Sequence, residues 1–562
     1  MTQVAPRWWH SLPLVLSLAV AACDSSSGPK TGGLTNWLRA CQIDAECGEL
    51  ECVCGACTVT CRENDVCDGL TGASCIPAND SGAIALCGGD EPSSAGLCLP
   101  RCDDDGACPS GSVCVADVCV PRPEPTHELA IDLEAHHQTL VGFGASLAYA
   151  DEAIAAFPEA SEFYDAAFAE SGIDMIRMRN RFVANDPTTL DATAEILAAA
   201  TARMGRAPTT FMTSPSPPPS LKANGSTTCG GNLDTCTLIQ LADGSFDYAG
   251  YADYWQTSMR AYDDAGILPD FVSIQNNPNW IPPESDPNEA CYFRPTEGRQ
   301  SVPVDGGAPV DVTYPGYVEA LTAVVSAFDE LPDAPAIAAP EVSDFDRLAD
   351  YAAALDLADV DALAIHLYGT DPASVDAEGL EAVGELSLDA DRPLFQSEMQ
   401  SDGFGTALLI HHSLADANAA AYLQNDLVSL GSTLEDRVVA LFSFHTDTYT
   451  IEAPYHAIRH YALHTDPGWV RVDANVDGDD VLATAWLSPE ADALTLVLVN
   501  PGLSDEAVRI DLGEDWTDGF SESDVIRTTF EGSERSADHG ALPPDPVLRL
   551  PGHSIVTVAL WQ

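Results

Sequence analysis

LDATAEILAAATARMG, residues 190–205, sits between two β-rich runs, DMIRMRNRF (174–182) and PTTFMTSPS (208–216). Its apolar residues recur at helical spacing on an alanine-rich background, so it reads as an amphipathic helix between two strands. A strand, a helix and a strand in that order imply parallel strands joined by a crossover helix. The alternation continues over about residues 140–465. The further candidate strands are VGFGAS (141–146), FVSIQNN (271–277), PAIAAPE (335–341), ALAIHLYG (362–369), PLFQSEM (393–399) and VVALFSFH (438–445). A second long amphipathic segment, GTALLIHHSLADANAAAYLQNDLVSL, covers 405–430. Eight such units predict an α/β fold, a (β/α)₈ TIM barrel. A doubly wound open sheet is the alternative, but no G-x-G-x-x-G loop follows the first strand.

After residue 466 the pattern changes to strands without helices: GWVRVDANV, DVLATAWLS, DALTLVLVNP, AVRIDLG and SIVTVALWQ. Alternation without crossover helices predicts an antiparallel β-sandwich side domain. The segment ELAIDLEAHHQTL (128–140) is apolar enough to add a strand to it, so that residues 127–139 and 466–562 form one domain around the barrel at 140–465.

Ahead of this lie three different compositions. Residues 1–22 carry Arg7 and then the apolar run LPLVLSLAVAA, too short for a membrane span and suited to a signal peptide. The run ends in AVAAC, which resembles the lipobox of bacterial lipoproteins and implies lipidation of Cys23, with residues 23–38 as a flexible tether. The expected location is therefore the cell envelope or surface, with the membrane reached through that lipid. Residues 39–120 hold fourteen of the eighteen cysteines and few large apolar residues. In an exported chain this predicts a small disulfide-rich domain of seven bridges, whose connectivity the spacing leaves open. Zinc at Cys52, Cys54, Cys57 and Cys61 is disfavoured by an oxidising compartment and by the lack of histidine. Such a module suits adhesion, partner binding or rigid spacing. PRPEPT (121–126) is a proline-rich linker into the barrel.

The formal net charge is −63, and Lys30 and Lys222 are the only lysines. Nucleic acid is not expected as a partner. So strong an excess is better tolerated where salt screens it.

Barrel enzymes work at the C-terminal ends of their strands. The fourth run ends in Asn276 and Asn277, the sixth offers His366 and Tyr368, and the seventh offers Glu398. From about Gln138 onward the chain resembles glycoside hydrolase family 30, especially its glucuronoxylanase branch. The resemblance rests on QTLVGFGAS, GIDMIRMRNRF, TSPSPPPSLK, IQNNPNW, ACYFRPTE, AIAAPE, DALAIHLYGT, PLFQSEM and WVRVDAN, in the family's order. It implies a retaining β-glycosidase acting on a β-linked polysaccharide, xylan or glucuronoxylan, through two carboxylates about 5 to 5.5 Å apart. By motif, Glu398 corresponds to the nucleophile. Asn276 and Arg177 correspond to substrate-binding groups, and His366 and Tyr368 to residues that line the site and steady the nucleophile. No motif calls for a metal or another cofactor.

Asn277 stands where the family carries its acid/base glutamate, in IQNNPNW against IQNEPD. An amide has no titratable proton, so turnover is expected to be weak or lost. The alternative is a pseudoenzyme that binds carbohydrate at the cell surface. Glu284, Asp286 and Glu289, in the loop after the fourth strand, are candidate substitute acids. The family's tryptophan after the third strand is replaced by Ser216, and Trp280 and Tyr292 are candidate stacking surfaces. No arginine follows the seventh strand to hold a uronate. Cys229 and Cys236 are expected to pair across GGNLDT and leave Cys291 free, with bridges to Cys291 as alternatives.

Overall fold

The computed structural model describes residues 36–562, apart from 42–43, 79, 81–85, 88–94, 103–106, 110, 116, 148, 182–189, 232–234, 284–286, 303–308, 432, 517–519 and 543–545. The expected signal peptide, Cys23, Glu284 and Asp286 fall outside the described residues.

Eight parallel strands close a barrel in chain order: β1 (Gly142–Ser146), β2 (Met175–Arg179), β3 (Thr209–Thr213), β4 (Phe271–Ser273), β5 (Ala336–Val342), β6 (Ala362–His366), β7 (Leu394–Met399) and β8 (Ala419–Gln424), with β8 pairing back onto β1. Met175, Phe211, Ala338, Ala364, Phe395 and Leu423 form one fully buried cluster of strand side chains. Gly144 permits the close approach of β1 to β2, since a Cβ there would lie 2.2 Å from the Met175 carbonyl oxygen.

The surrounding helices begin and end where local chemistry dictates. Asp247, Asp376 and Asp402 cap three of them by accepting from the backbone N–H of Gly250, Gly379 and Gly405. The helix Asp191–Met204 stops at Gly205, whose φ of 73° suits a glycine C-cap.

The eighth strand departs from the sequence expectation. The helix starting at Gly403 ends at Ala415, and AAAYLQ, expected within that helix, forms β8. The run VVALFSFH is not in the barrel. Its Phe442–Phe444 joins Val428–Ser429 and Tyr449–Ile451 in a small sheet, and Phe444 stacks on Phe157 at 4.1 Å. A strand buried on both faces has no alternation to betray it, and alanine is the best helix former.

The side domain is a nine-stranded, β-sandwich-like unit. His127–Thr139 lies between Val470–Val476, antiparallel, and Glu506–Asp511, parallel, so both ends of this part of the chain meet in one sheet. Leu129, Val472, Leu496, Val508 and Val558 share its core. It locks onto the barrel through His460, whose buried ring bonds Thr557 and Thr528 at 2.8 and 2.9 Å.

In the cysteine-rich region seven disulfides pair Cys41–Cys52, Cys47–Cys57, Cys54–Cys87, Cys61–Cys75, Cys67–Cys98, Cys102–Cys114 and Cys108–Cys119. Every sulfur of the cluster considered for zinc is thus engaged. Arg549 of the side domain donates to the carbonyls of Cys54, at 3.2 Å, and Leu86, which seats the region on that domain. In the barrel, Cys229 pairs with Cys236, and Cys291 is free and buried, its thiol pushed up to about 11 by burial.

Candidate active site

The C-terminal ends of the strands surround a cleft of about 500 Å³. Glu398, near the end of β7, faces it with its carboxylate held from two sides. Arg177 Nη1 on β2 lies 2.7 Å from Oε2, and the Tyr368 hydroxyl donates to Oε1 at 2.8 Å. Asn425 in turn donates to the Tyr368 oxygen at 3.2 Å. Burial, and then the charge of Glu398, raises the Tyr368 phenol well above its ordinary pKa, so it stays a donor.

Beneath Glu398 lies a second carboxylate that sequence reasoning did not single out. Glu341, near the end of β5, is wholly buried. It pairs with Arg177 Nη2 at 3.0 Å and accepts from Thr213 Oγ1 and, at 3.2 Å, Ser397 Oγ. It also lies 3.4 Å from His366 Nε2. Burial opposes its charge, yet Arg177, His366 and Thr213 hold its carboxyl down at about 2. Arg177 is thus shared between two glutamates, and its pKa is raised by both against the effect of burial. Glu341 has a φ of 62°, an unusual backbone for a residue other than glycine and of the kind found where a site fixes a side chain. The motif AIAAPE contained this residue, but its partners sit on four other strands and could not be read from one.

Asn276 and Asn277 follow β4. Asn276 Oδ1 accepts from Arg177 Nη2 at 2.9 Å, which joins it to the same network. Asn277 lines the cleft in a left-handed conformation, φ 48°, that asparagine tolerates. Its Oδ1 lies 2.8 Å from His366 Nδ1, and that nitrogen is 4.0 Å from Glu398 Oε1. His366 was expected to line the site. The ring is fully buried behind it and connects Asn277, Glu341 and Glu398 from below. Around this site no group at position 277 can give or take a proton.

Trp280 lines the cleft, whereas Tyr292 is turned away, packed edge-on against Tyr314 and bonded to Gln300. The aromatic surface that sequence reasoning missed is Tyr149, beyond β1, which is 52% exposed. The Arg179 guanidinium lies 3.9 Å from its ring centroid, and its hydroxyl donates to Glu289 at 3.3 Å. Glu289 faces the cleft, but its Oε2 is engaged by both Tyr149 and Arg179, the latter at 3.4 Å. Lys222, buried under this loop, donates to the Ala290 carbonyl and fixes the neighbouring backbone.

No protein-family model matches the chain, and no curated protein matches it. Solved structures do. A glycoside hydrolase family 30 subfamily 8 xylanase from Clostridium acetobutylicum is 20% identical with a TM-score of 0.57, the match covering 77% of this chain and 100% of that one. The catalytic domain of a family 30 xylanase from Talaromyces cellulolyticus is 15% identical with a TM-score of 0.60 over the same shares. The chain has the fold of glycoside hydrolase family 30. A conserved exported protein from Bacteroides fragilis shares it, at 14% identity and a TM-score of 0.62, again covering 77% of this chain and 100% of that one. A fold does not fix an activity, so the site between the strand ends must supply the argument for chemistry.

Proposed function

We propose that the protein is an exported, lipid-anchored β-glycosidase of family 30 type that acts on a β-linked polysaccharide with a xylan-like backbone, with Glu398 as the nucleophile of a retaining reaction. The observation that carries this reading is the Glu398 carboxylate, oriented by Arg177 and Tyr368 and opening into the cleft. A carboxylate fixed by a buried guanidinium and a phenol has one free direction, toward the substrate. Attack by an oxygen of Glu398 on the anomeric carbon displaces the leaving sugar oxygen and forms a glycosyl ester, which water then opens. Arg177 and Asn276 stand where they can hold sugar hydroxyls next to the reacting carbon. Trp280 and Tyr149 offer apolar faces for sugar rings.

The two arginines lining the cleft, Arg177 and Arg179, are already paired with glutamates. A neutral glycan therefore fits better than one rich in uronate, especially on a chain of net charge −63. Asn277 supplies neither acid nor base, which removes assistance typically worth about 10²- to 10⁴-fold in rate. Turnover of unactivated substrate then depends on another carboxyl in the cleft taking that part. The tie of Asn277 to His366 favours a second reading, a binding protein that has ceased to cleave. Hydrolysis and binding of neutral xylan by the native protein, beside Asn277→Glu and Glu398→Gln, separates the two. Cleavage that Glu398→Gln abolishes supports the enzyme. Binding with cleavage only in Asn277→Glu supports the binding protein, and no binding in any form contradicts both.

A further inference from the structure

Three carboxylates face the cleft: Glu398, Glu289 and Asp426. Glu398 is held by Arg177 and Tyr368, and Glu289 by Arg179 and Tyr149. Among the described residues, the Asp426 carboxyl has no hydrogen-bond partner. Its backbone, by contrast, is firmly placed just past the end of β8. The Asn425 N–H donates to the Met399 carbonyl at 2.7 Å, the Leu427 N–H to Ser146 at 2.8 Å, and the Leu441 N–H to Asp426 itself at 3.1 Å. The segment is pinned to β7 on one side and β1 on the other, and Asp426 lines the same cleft as Glu398. Asp426 also lines an adjoining hollow of about 440 Å³ with Tyr149, Gln400 and Asp436, so it stands where the cleft continues.

We propose that Asp426 is the proton donor and acceptor that this cleft uses in place of a glutamate at position 277. This rests on the reading of Glu398 as nucleophile. In the first half-reaction the Asp426 O–H gives its proton to the glycosidic oxygen as the bond from that oxygen to the anomeric carbon breaks and a Glu398 oxygen bonds the carbon. In the second, the Asp426 carboxylate takes a proton from water, the water oxygen bonds the anomeric carbon, and the ester to Glu398 breaks. Proton, leaving group and charge balance over the two steps.

The surroundings suit a carboxyl that keeps its proton. Glu398 from β7 and Asp436 from the helix Leu434–Arg437 act on it with negative charge, Tyr368 just past β6 stays neutral, and Arg177 from β2 pulls the other way. Burial, and then Glu398, raises Asp426 to about 6 against the pull of Arg177. The group is therefore protonated and able to donate below about pH 6, and that ability is lost as pH rises through this value.

The test uses the full-length protein with Asp426→Asn, Asp426→Ala, Glu289→Gln and Glu398→Gln, on a xylo-oligosaccharide and on a dinitrophenyl β-xyloside, whose aryloxide leaves without a proton. Asp426→Asn is expected to lower turnover of the oligosaccharide by about 10²- to 10⁴-fold and cleavage of the dinitrophenyl bond by less than about tenfold. It should also erase the fall in rate above pH 6. Azide should restore the Asp426→Ala variant and yield a glycosyl azide, a signature that lost packing does not produce. The proposal is overturned by equal losses on both substrates without azide product, by a change of less than about twofold, by the signature appearing in Glu289→Gln instead, or by a native protein inactive on both substrates. If these failures occur while a 2-fluoroglycosyl fluoride still labels Glu398, the nucleophile reading stands alone. If the label is absent too, both fall.

Discussion

The ends of β7 and β4 face the same cleft and lean on the same buried histidine, yet they carry opposite chemistry. Glu398 is an ionisable group with a guanidinium and a phenol arranged around it. Asn277 is a neutral amide whose side chain meets that cluster at His366. The difference teaches that the electrostatic framework is centred on the β7 side. The Glu341 carboxylate is held by Arg177, Thr213 and Ser397, none of which depends on the side chain at position 277. An amide there leaves no buried charge unpaired, so the barrel tolerates it without structural penalty.

That contrast can be broken or sharpened by substitution. Glu398→Gln should have the largest effect: turnover of an activated aryl xyloside falls to background while the circular dichroism spectrum is unchanged. Survival of activity would place the chemistry elsewhere. In an Asp426→Asn background, Asn277→Glu should raise turnover of unactivated oligosaccharide by about 10²- to 10⁴-fold, because it puts a titratable group beside His366. No gain would mean that the β4 end is not aligned with the scissile bond.

Much of the architecture behind this contrast is legible in the sequence. Seven of the eight strands are marked by β-rich runs between amphipathic helices, and the residues closing them include Asn276, Asn277, His366 and Glu398. The eighth escapes because AAAYLQ is buried on every side and alanine-rich, which looks helical. Its displacement also hid Asn425 and Asp426, which follow β8 and reach the cleft. Glu341 escapes for another reason. Its importance lies in contacts with Arg177, Thr213, His366 and Ser397, on strands separated by up to 164 residues. Tyr149 likewise becomes a candidate surface only once Arg179 is seen against its ring.

Smaller effects probe the framework itself. Arg177→Met leaves buried Glu341 without its cation and should lower stability by about 3 to 5 kcal/mol, read as a drop in the thermal midpoint. Tyr368→Phe removes one donor to Glu398 and should slow aryl xyloside cleavage by roughly ten- to a hundredfold, since a hydrogen bond to a charged group is worth about 1.5 to 3 kcal/mol. The pH dependence of unfolding gives the gentlest test. Glu341 is held at about 2 in the folded protein against an ordinary 4.5, so its contribution is complete above pH 4.5 and fades as pH falls from there toward 2. Glu341→Gln should flatten the stability curve over that window, and an unchanged slope would argue against the buried pair.

The central claim, that Glu398 is a working nucleophile despite Asn277, is tested most directly by incubating the native protein with a 2-deoxy-2-fluoroxylosyl fluoride and locating the adduct by peptide mass spectrometry. Fluoride leaves without a proton, so the missing acid at position 277 does not enter. The account predicts a covalent sugar on the peptide containing Glu398 and none in Glu398→Gln. An unlabelled native protein, or a label on another carboxylate, would contradict it.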